Sequence, residues 1–157
     1  MIALGLAAAA IVAGVTTWAL WPDPPRQREY LDTTACLLTD DKGVAGNEAK
    51  SIWSAMQDSS GANLVRVQNV RVNGPQTARN ASAYLASLTG GRCGAIIAVG
   101  PAQVEAVTKA AGAHPGLRFV TVGGTPATNV EVIDAAAPDA LRTVIKERIE
   151  ELADAAS

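Results

Sequence analysis

Three short segments carry the residue types that could hold a ligand: Asp40-Asp41-Lys42-Gly43, Gly100-Pro101-Ala102 and Gly123-Gly124-Thr125. Each follows an apolar run, so each falls where a strand gives way to a turn or a helix. The carboxylate of Asp40 can accept a hydrogen bond from a ligand hydroxyl or amine. Gly100, Gly123 and Gly124 allow close approach to bare backbone, and helices that begin beyond such turns add free N–H groups. The candidate ligand-binding residues are therefore Asp40, Asp41, Gly100, Gly123 and Gly124. The competing reading is a set of ordinary turns, in which Asp40 and Asp41 satisfy the turn and cap the next helix.

No catalytic set accompanies these residues. The chain has no Gly-x-Ser-x-Gly elbow, no phosphate loop ending in Lys-Ser/Thr and no Gly-x-Gly-x-x-Gly after the first strand. Two cysteines and one histidine, His114, fall short of a zinc set. No enzymatic activity, metal or cofactor is expected. The formal net charge of −2 and the lack of any Lys/Arg run exclude nucleic acid as a partner. Asn80-Ala81-Ser82 matches a glycosylation sequon, but it falls inside a helical pattern and reads as chance. Trp53 lies on an inward stripe and reads as core.

The elements that must position the three segments alternate along the chain. Strands are expected at Ala35–Thr39, Leu64–Val72, Ala95–Val99, Leu117–Val122 and Val130–Ile133. Between them, Ala49, Ile52, Trp53 and Met56, then Ala78, Ala81, Leu85 and Leu88, then Val104, Val107, Thr108 and Ala111 recur at helical spacing. Ser59-Ser60-Gly61 is expected to end the first of these helices. Pro138 opens a last one, with Leu141, Val144, Ile145, Ile149 and Leu152 on one face. This order predicts an α/β fold: a flavodoxin-like parallel sheet of order 2-1-3-4-5 with helices on both faces. In such sheets ligands bind beyond the carboxyl ends of the strands, where the three segments converge.

That order makes the first and third strands neighbours, with Cys36 near the start of the first and Cys93 just before the third. Parallel neighbours lie about 4.8 Å apart, within the Cα separation of about 4.4–6.8 Å that a disulfide needs. A Cys36–Cys93 bridge is expected in preference to two buried thiols, and it implies an oxidising compartment.

The chain begins with an uncharged apolar run, Met1–Leu20, bordered by Trp18 and Trp21. About 20 helical residues span a bilayer core of about 30 Å, and aromatic rings favour the headgroup level. Residues 1–21 are read as a transmembrane anchor and residues 22–34, rich in proline, as a linker. Residues 35–157 form the single α/β lobe. A cleaved signal peptide is the competing reading, without a basic region or a clear cleavage site to support it; a buried core helix is weaker, because the run has no polar face. Arg26 and Arg28 alone would hold the body in the cytoplasm, whereas the cysteines place it on the extracytoplasmic side of the cell membrane.

Ala35-Cys36-Leu37-Leu38-Thr39-Asp40, then Gly43-Val44 and Trp53, resembles the first strand, loop and helix of the basic membrane protein family. These are bacterial solute-binding lipoproteins of the type I periplasmic-binding fold, mostly purine-nucleoside receptors for ABC importers. Cys93-Gly94-Ala95-Ile96-Ile97-Ala98-Val99-Gly100 resembles the family's third strand and glycine, and His114 to Val120 its approach to the fourth. The likeness spans about Ala35 to Ile133. It implies that Asp40 matches the aspartate ending the family's first strand. The chain departs from the pattern in four ways. It has length for one lobe rather than two. Ala45 to Lys50 lacks the aromatic that stacks on the base. Gly123 replaces an aspartate, and no lipid-attachment cysteine follows the apolar run, so the transmembrane helix would take that anchor's place. The expected function is a degenerate ABC-importer receptor lobe for a nucleoside-like small molecule, with an ABC permease as partner. The alternative is a non-catalytic interaction or sensory module that docks an envelope protein.

Overall fold

Thr34–Thr39 (β1) is buried along its whole length, as a strand at the centre of a parallel sheet must be. The computed structural model describes residues 28–134 and 136–157. Arg66–Arg71 (β2), Cys93–Ala98 (β3), Arg118–Val122 (β4) and Val130–Ile133 (β5) complete one sheet. Its order is β2-β1-β3-β4-β5 with every pairing parallel, as the sequence predicts. Helices cover both faces: Asn47–Asn63 (α1), Ala78–Thr89 (α2), Pro101–Ala110 (α3) and Pro138–Ala156 (α4).

Successive side chains of a strand point to opposite faces, and this divides the core in two. Cys36, Leu38, Ile96 and Phe119 face α2 and α3, where Leu85 and Val107 meet them. Leu37, Ile97 and Val120 face α1 and α4, where Ile52, Met56, Ile145 and Ile149 fill the layer. Trp53 packs half-buried against that second cluster, as its stripe position predicts. At the far edge, Arg148 Nε donates to Glu131 Oε2 at 2.9 Å and its Nη1 to Glu151, tying α4 to β5. Burial alone lowers the pKa of Arg148, but these two carboxylates outweigh it and hold the guanidinium above its ordinary value.

Several boundaries shift by one or two residues from the sequence reading: β3 begins at Cys93 rather than Ala95, and two of the shifts meet at one turn. The helix expected to stop at Ser59-Ser60-Gly61 runs on to Asn63. Ser60 Oγ donates to Val65 O at 2.7 Å and Asn63 Nδ2 to Ser59 O at 3.0 Å, so the polar side chains that usually end a helix here bond locally instead. The chain then turns at Leu64, with a left-handed φ of 56°. β2 accordingly begins at Arg66 rather than Leu64. Leu31 N–H donates to Leu64 O at 2.8 Å, and Arg28 Nη1 reaches Gly61 O at 2.5 Å. The described part of the expected linker therefore lies against the body. The anchor expected over residues 1–21 falls outside the described residues. Among the described residues no helix is long and apolar enough to cross a membrane.

Cys36 and Cys93 are joined, with Cα atoms 5.8 Å apart. They are not level with one another. Thr34 stands opposite Cys93, Ala35 opposite Ala95 and Cys36 opposite Ile96, so Gly94 is an extra residue in β3 and the bridge runs diagonally across the step. A Cβ on Gly94 would stand 2.6 Å from Leu152 Cδ2 and 2.9 Å from Thr33 Oγ1, which leaves glycine as the residue that fits the bulge. The bridge closes a sequence separation of 57 residues. On chain-entropy grounds a loop of that size corresponds to about 4 kcal/mol. The double variant C36A/C93A is expected to lose about 2–4 kcal/mol in urea unfolding while keeping its far-ultraviolet circular dichroism. An unchanged midpoint would remove the bridge from the list of stabilising contacts.

Candidate functional site

The carboxyl ends of β1, β3 and β4 lie side by side, and the three segments named from sequence emerge there. After β1, Asp40 Oδ1 accepts the Lys42 N–H at 3.0 Å and Asp40 O accepts the Gly43 N–H at 3.1 Å. Gly43 has a φ of 59°, and Arg71 Cδ would lie 3.2 Å from a Cβ placed on it. The short 3-10 turn Gly43–Ala45 then leads to α1, whose N-cap is Gly46 with no side-chain capping bond. Asp40 thus secures its own turn, while neither aspartate caps the helix.

After β3, Gly100 adopts φ 107° and ψ 146°, a backbone region essentially closed to L side chains. The space above it is also taken: a Cβ there would stand 2.5 Å from Gln103 Oε1 and 3.6 Å from Asp40 Cβ. Gln103 is almost fully buried in the first turn of α3, and its Nε2 donates to Gln76 Oε1 at 3.0 Å. Gln76 Nε2 in turn donates to Val72 O and Gly74 O at 3.0 and 3.1 Å. This amide pair braces the turn after β3 against the turn after β2. Sequence reasoning missed Gln103, because a single polar residue on an amphipathic helix gives no signal of its burial; its place three residues after Gly100, beside bare backbone, was the one hint.

After β4, Gly123 and Gly124 have φ of 77° and 96°. Nothing lies within 4 Å of a Cβ on Gly123, whereas one on Gly124 would stand 2.6 Å from Val104 Cγ1. Thr121 Oγ1 donates to Gly123 O at 2.8 Å and holds the turn.

Two hollows meet at Gly100-Pro101 and Glu48. The smaller, about 270 Å³, is lined by Asp40, Lys42, Asn47 and Gly100 among others. The larger is an open groove of about 940 Å³ that runs past Gly100, Val104, Gly123 and Gly124 to Asp134. Of the five residues named from sequence, Asp40 and Gly100 share the first, and Gly100, Gly123 and Gly124 share the second. Asp41 is exposed and lines neither. Glu48, Glu105 and Asp134, which the sequence did not single out, all border the larger groove.

No nucleophile stands hydrogen-bonded to a base in either hollow, and no group of three or more His, Cys, Asp or Glu able to hold a metal occurs among the described residues. His114 precedes β4, at the opposite edge of the sheet, where its carbonyl accepts from Asn129 Nδ2 at 3.0 Å. Asn80 Nδ2 donates to Asn73 O and Pro75 O at 2.8 and 2.9 Å, so the sequon amide is engaged in bracing a turn.

The class defined by these features is a doubly wound α/β fold with an open groove at the carboxyl edge of its sheet. No protein-family model matches the chain, and no curated protein matches it. Among solved structures it is similar to a fragment described as a lipoprotein from Peptoclostridium difficile 630, with a TM-score of 0.62 and 15% identity. That match covers 74% of this chain and 98% of the fragment. It is also similar to a transcriptional activator of the comK gene from Bacillus halodurans, with a TM-score of 0.52 and 19% identity. There it covers 64% of this chain and 33% of the activator, so the likeness concerns one third of that protein's length. At these identities the likeness shows the fold.

The three glycines should differ in their tolerance of a methyl group. Gly100→Ala and Gly124→Ala meet both a positive φ and a close atom and are expected to cost about 2–4 kcal/mol in chemical denaturation. Gly123→Ala meets the positive φ alone and is expected to cost about 1–2 kcal/mol. Equal losses at all three positions would show that the close contacts do not govern this edge.

Proposed function

We propose that the chain is a membrane-tethered, extracytoplasmic solute-binding-like lobe without catalytic activity, related to the receptors of the basic membrane protein family. The observation that carries the reading is the groove of about 940 Å³ at the carboxyl edge, where Gly100, Gly123 and Gly124 leave backbone uncovered beside an apolar floor. Its volume is that of a small-molecule site, and it lies where ligands bind to open parallel sheets. The Cys36–Cys93 bridge supports an oxidising location. The fold likeness to a protein described as a lipoprotein agrees with a surface-attached body. The chain enters β1 at Thr34, at the amino edge of the sheet. An anchor over residues 1–21 would therefore leave the groove facing away from the bilayer, open to a solute.

One feature favours the alternative, an interaction or sensory module of an envelope complex. The groove is open, and a drug-sized ligand is usually buried over most of its surface. Closing it would take a second lobe.

A thermal-shift panel of nucleosides, sugars and amino acids separates the two. A solute at a hundredfold excess over its Kd stabilises the native state by about 2.7 kcal/mol, a rise of roughly 8–12 °C in Tm. The receptor reading expects such a rise for at least one solute, and a smaller one in Asp40→Ala or Gly124→Val. Flat curves throughout, together with a reproducible membrane-protein partner in cross-linking from the native host, would favour the interaction module.

A further inference from the structure

We infer that the larger groove takes a ligand with an aliphatic body and a positively charged amine, an inference that deepens the solute-binding reading and rests on it. The floor is aliphatic: Val104, Val122, Val132 and Ile133 line it, and among the described residues no aromatic side chain lines it to stack on a base or sugar ring. Carboxylates stand around that floor, from Glu48 at the start of α1, Glu105 on α3 and Asp134 after β5, and among the described residues no Lys, Arg or His lines the groove.

The charges do not cancel. Glu105 is paired with Lys109 at 2.5 Å. Asp134 Oδ1 accepts the Ala136 N–H at 2.9 Å, a bond that leaves its charge in place. Among the described residues neither Glu48 nor Asp134 is ion-paired. The amino ends of α1 and α3 oppose them, with about half a positive charge each. Two half charges and one lysine against three carboxylates leave about one negative charge over an apolar surface. An anion finds no cation there, whereas an ammonium group gains a carboxylate and its alkyl chain gains the valine floor. A second copy of the chain docked edge to edge would bring the same carboxylates together, so the groove is poorly matched to itself.

The test uses the full chain in neutral detergent and three probes of one length: putrescine, butanediol and succinate. Putrescine is expected to slow amide hydrogen exchange in segments 100–108 and 122–134 and to raise Tm, with the diol and the dianion inert. Glu48→Gln and Asp134→Asn are each expected to weaken putrescine about two- to fivefold, the scale of an exposed ion pair, and added salt to weaken it further. Equal protection by all three probes, or unchanged affinity in both variants, would overturn the inference. So would silence towards putrescine. In that last case, a nucleoside or sugar that protects the same segments keeps the solute-binding reading alive, while silence to every solute removes both.

Discussion

The pairing of β1 with β3 is the constraint on which the rest of the molecule depends. Both strands are buried on both faces, so their backbone groups have no water to turn to and must bond each other. Their side chains form the centre of both core layers. The disulfide fastens this same pair at its amino end, next to the Gly94 bulge. At the carboxyl end, Val99 N–H donates to Leu38 O at 2.9 Å, which sets Asp40 beside Gly100. The geometry of the candidate site is thus a consequence of strand pairing in the core.

The two edges of the sheet have different work. At the amino edge, Asp32 pairs with Arg66 and Arg92, exposed contacts that add little free energy but hold the incoming chain against the strands it joins. At the carboxyl edge the turns are built from glycines in left-handed or extended positive-φ conformations. Side chains are withheld there, and the buried amide of Gln103, bonded to the exposed Gln76, braces the bare turns. A surface of exposed backbone and small residues is a costly choice for stability and a useful one for recognition. The chain leading into β1 over residues 28–33 and the groove therefore lie at opposite ends of the sheet.

Fold and site were legible in the sequence to different degrees. The apolar runs Ala35–Thr39 and Ala95–Val99 and the helical stripes between them were enough for the strand order, because right-handed crossovers leave few ways to bury such strands. Asp40, Gly100, Gly123 and Gly124 were legible as edge residues for the same reason. Asp41 was not separable from Asp40, since adjacent side chains diverge and only the local turn decides which faces inward. The end of α1 was misjudged, because Ser59-Ser60-Gly61 has breaker chemistry that side-chain bonds to nearby backbone can absorb.

The sequence by itself determined the class of fold, the adjacency of the two cysteines and the edge at which a ligand could sit, all properties carried by local periodicity and by the handedness of the chain. Only the tertiary structure decided the diagonal register of the disulfide, the burial of Gln103 and the grouping of Glu48, Glu105 and Asp134 around one apolar floor. Those residues are far apart along the chain and share no spacing, so their meeting depends on how helices settle on a twisted sheet, and local pattern contains no record of that packing.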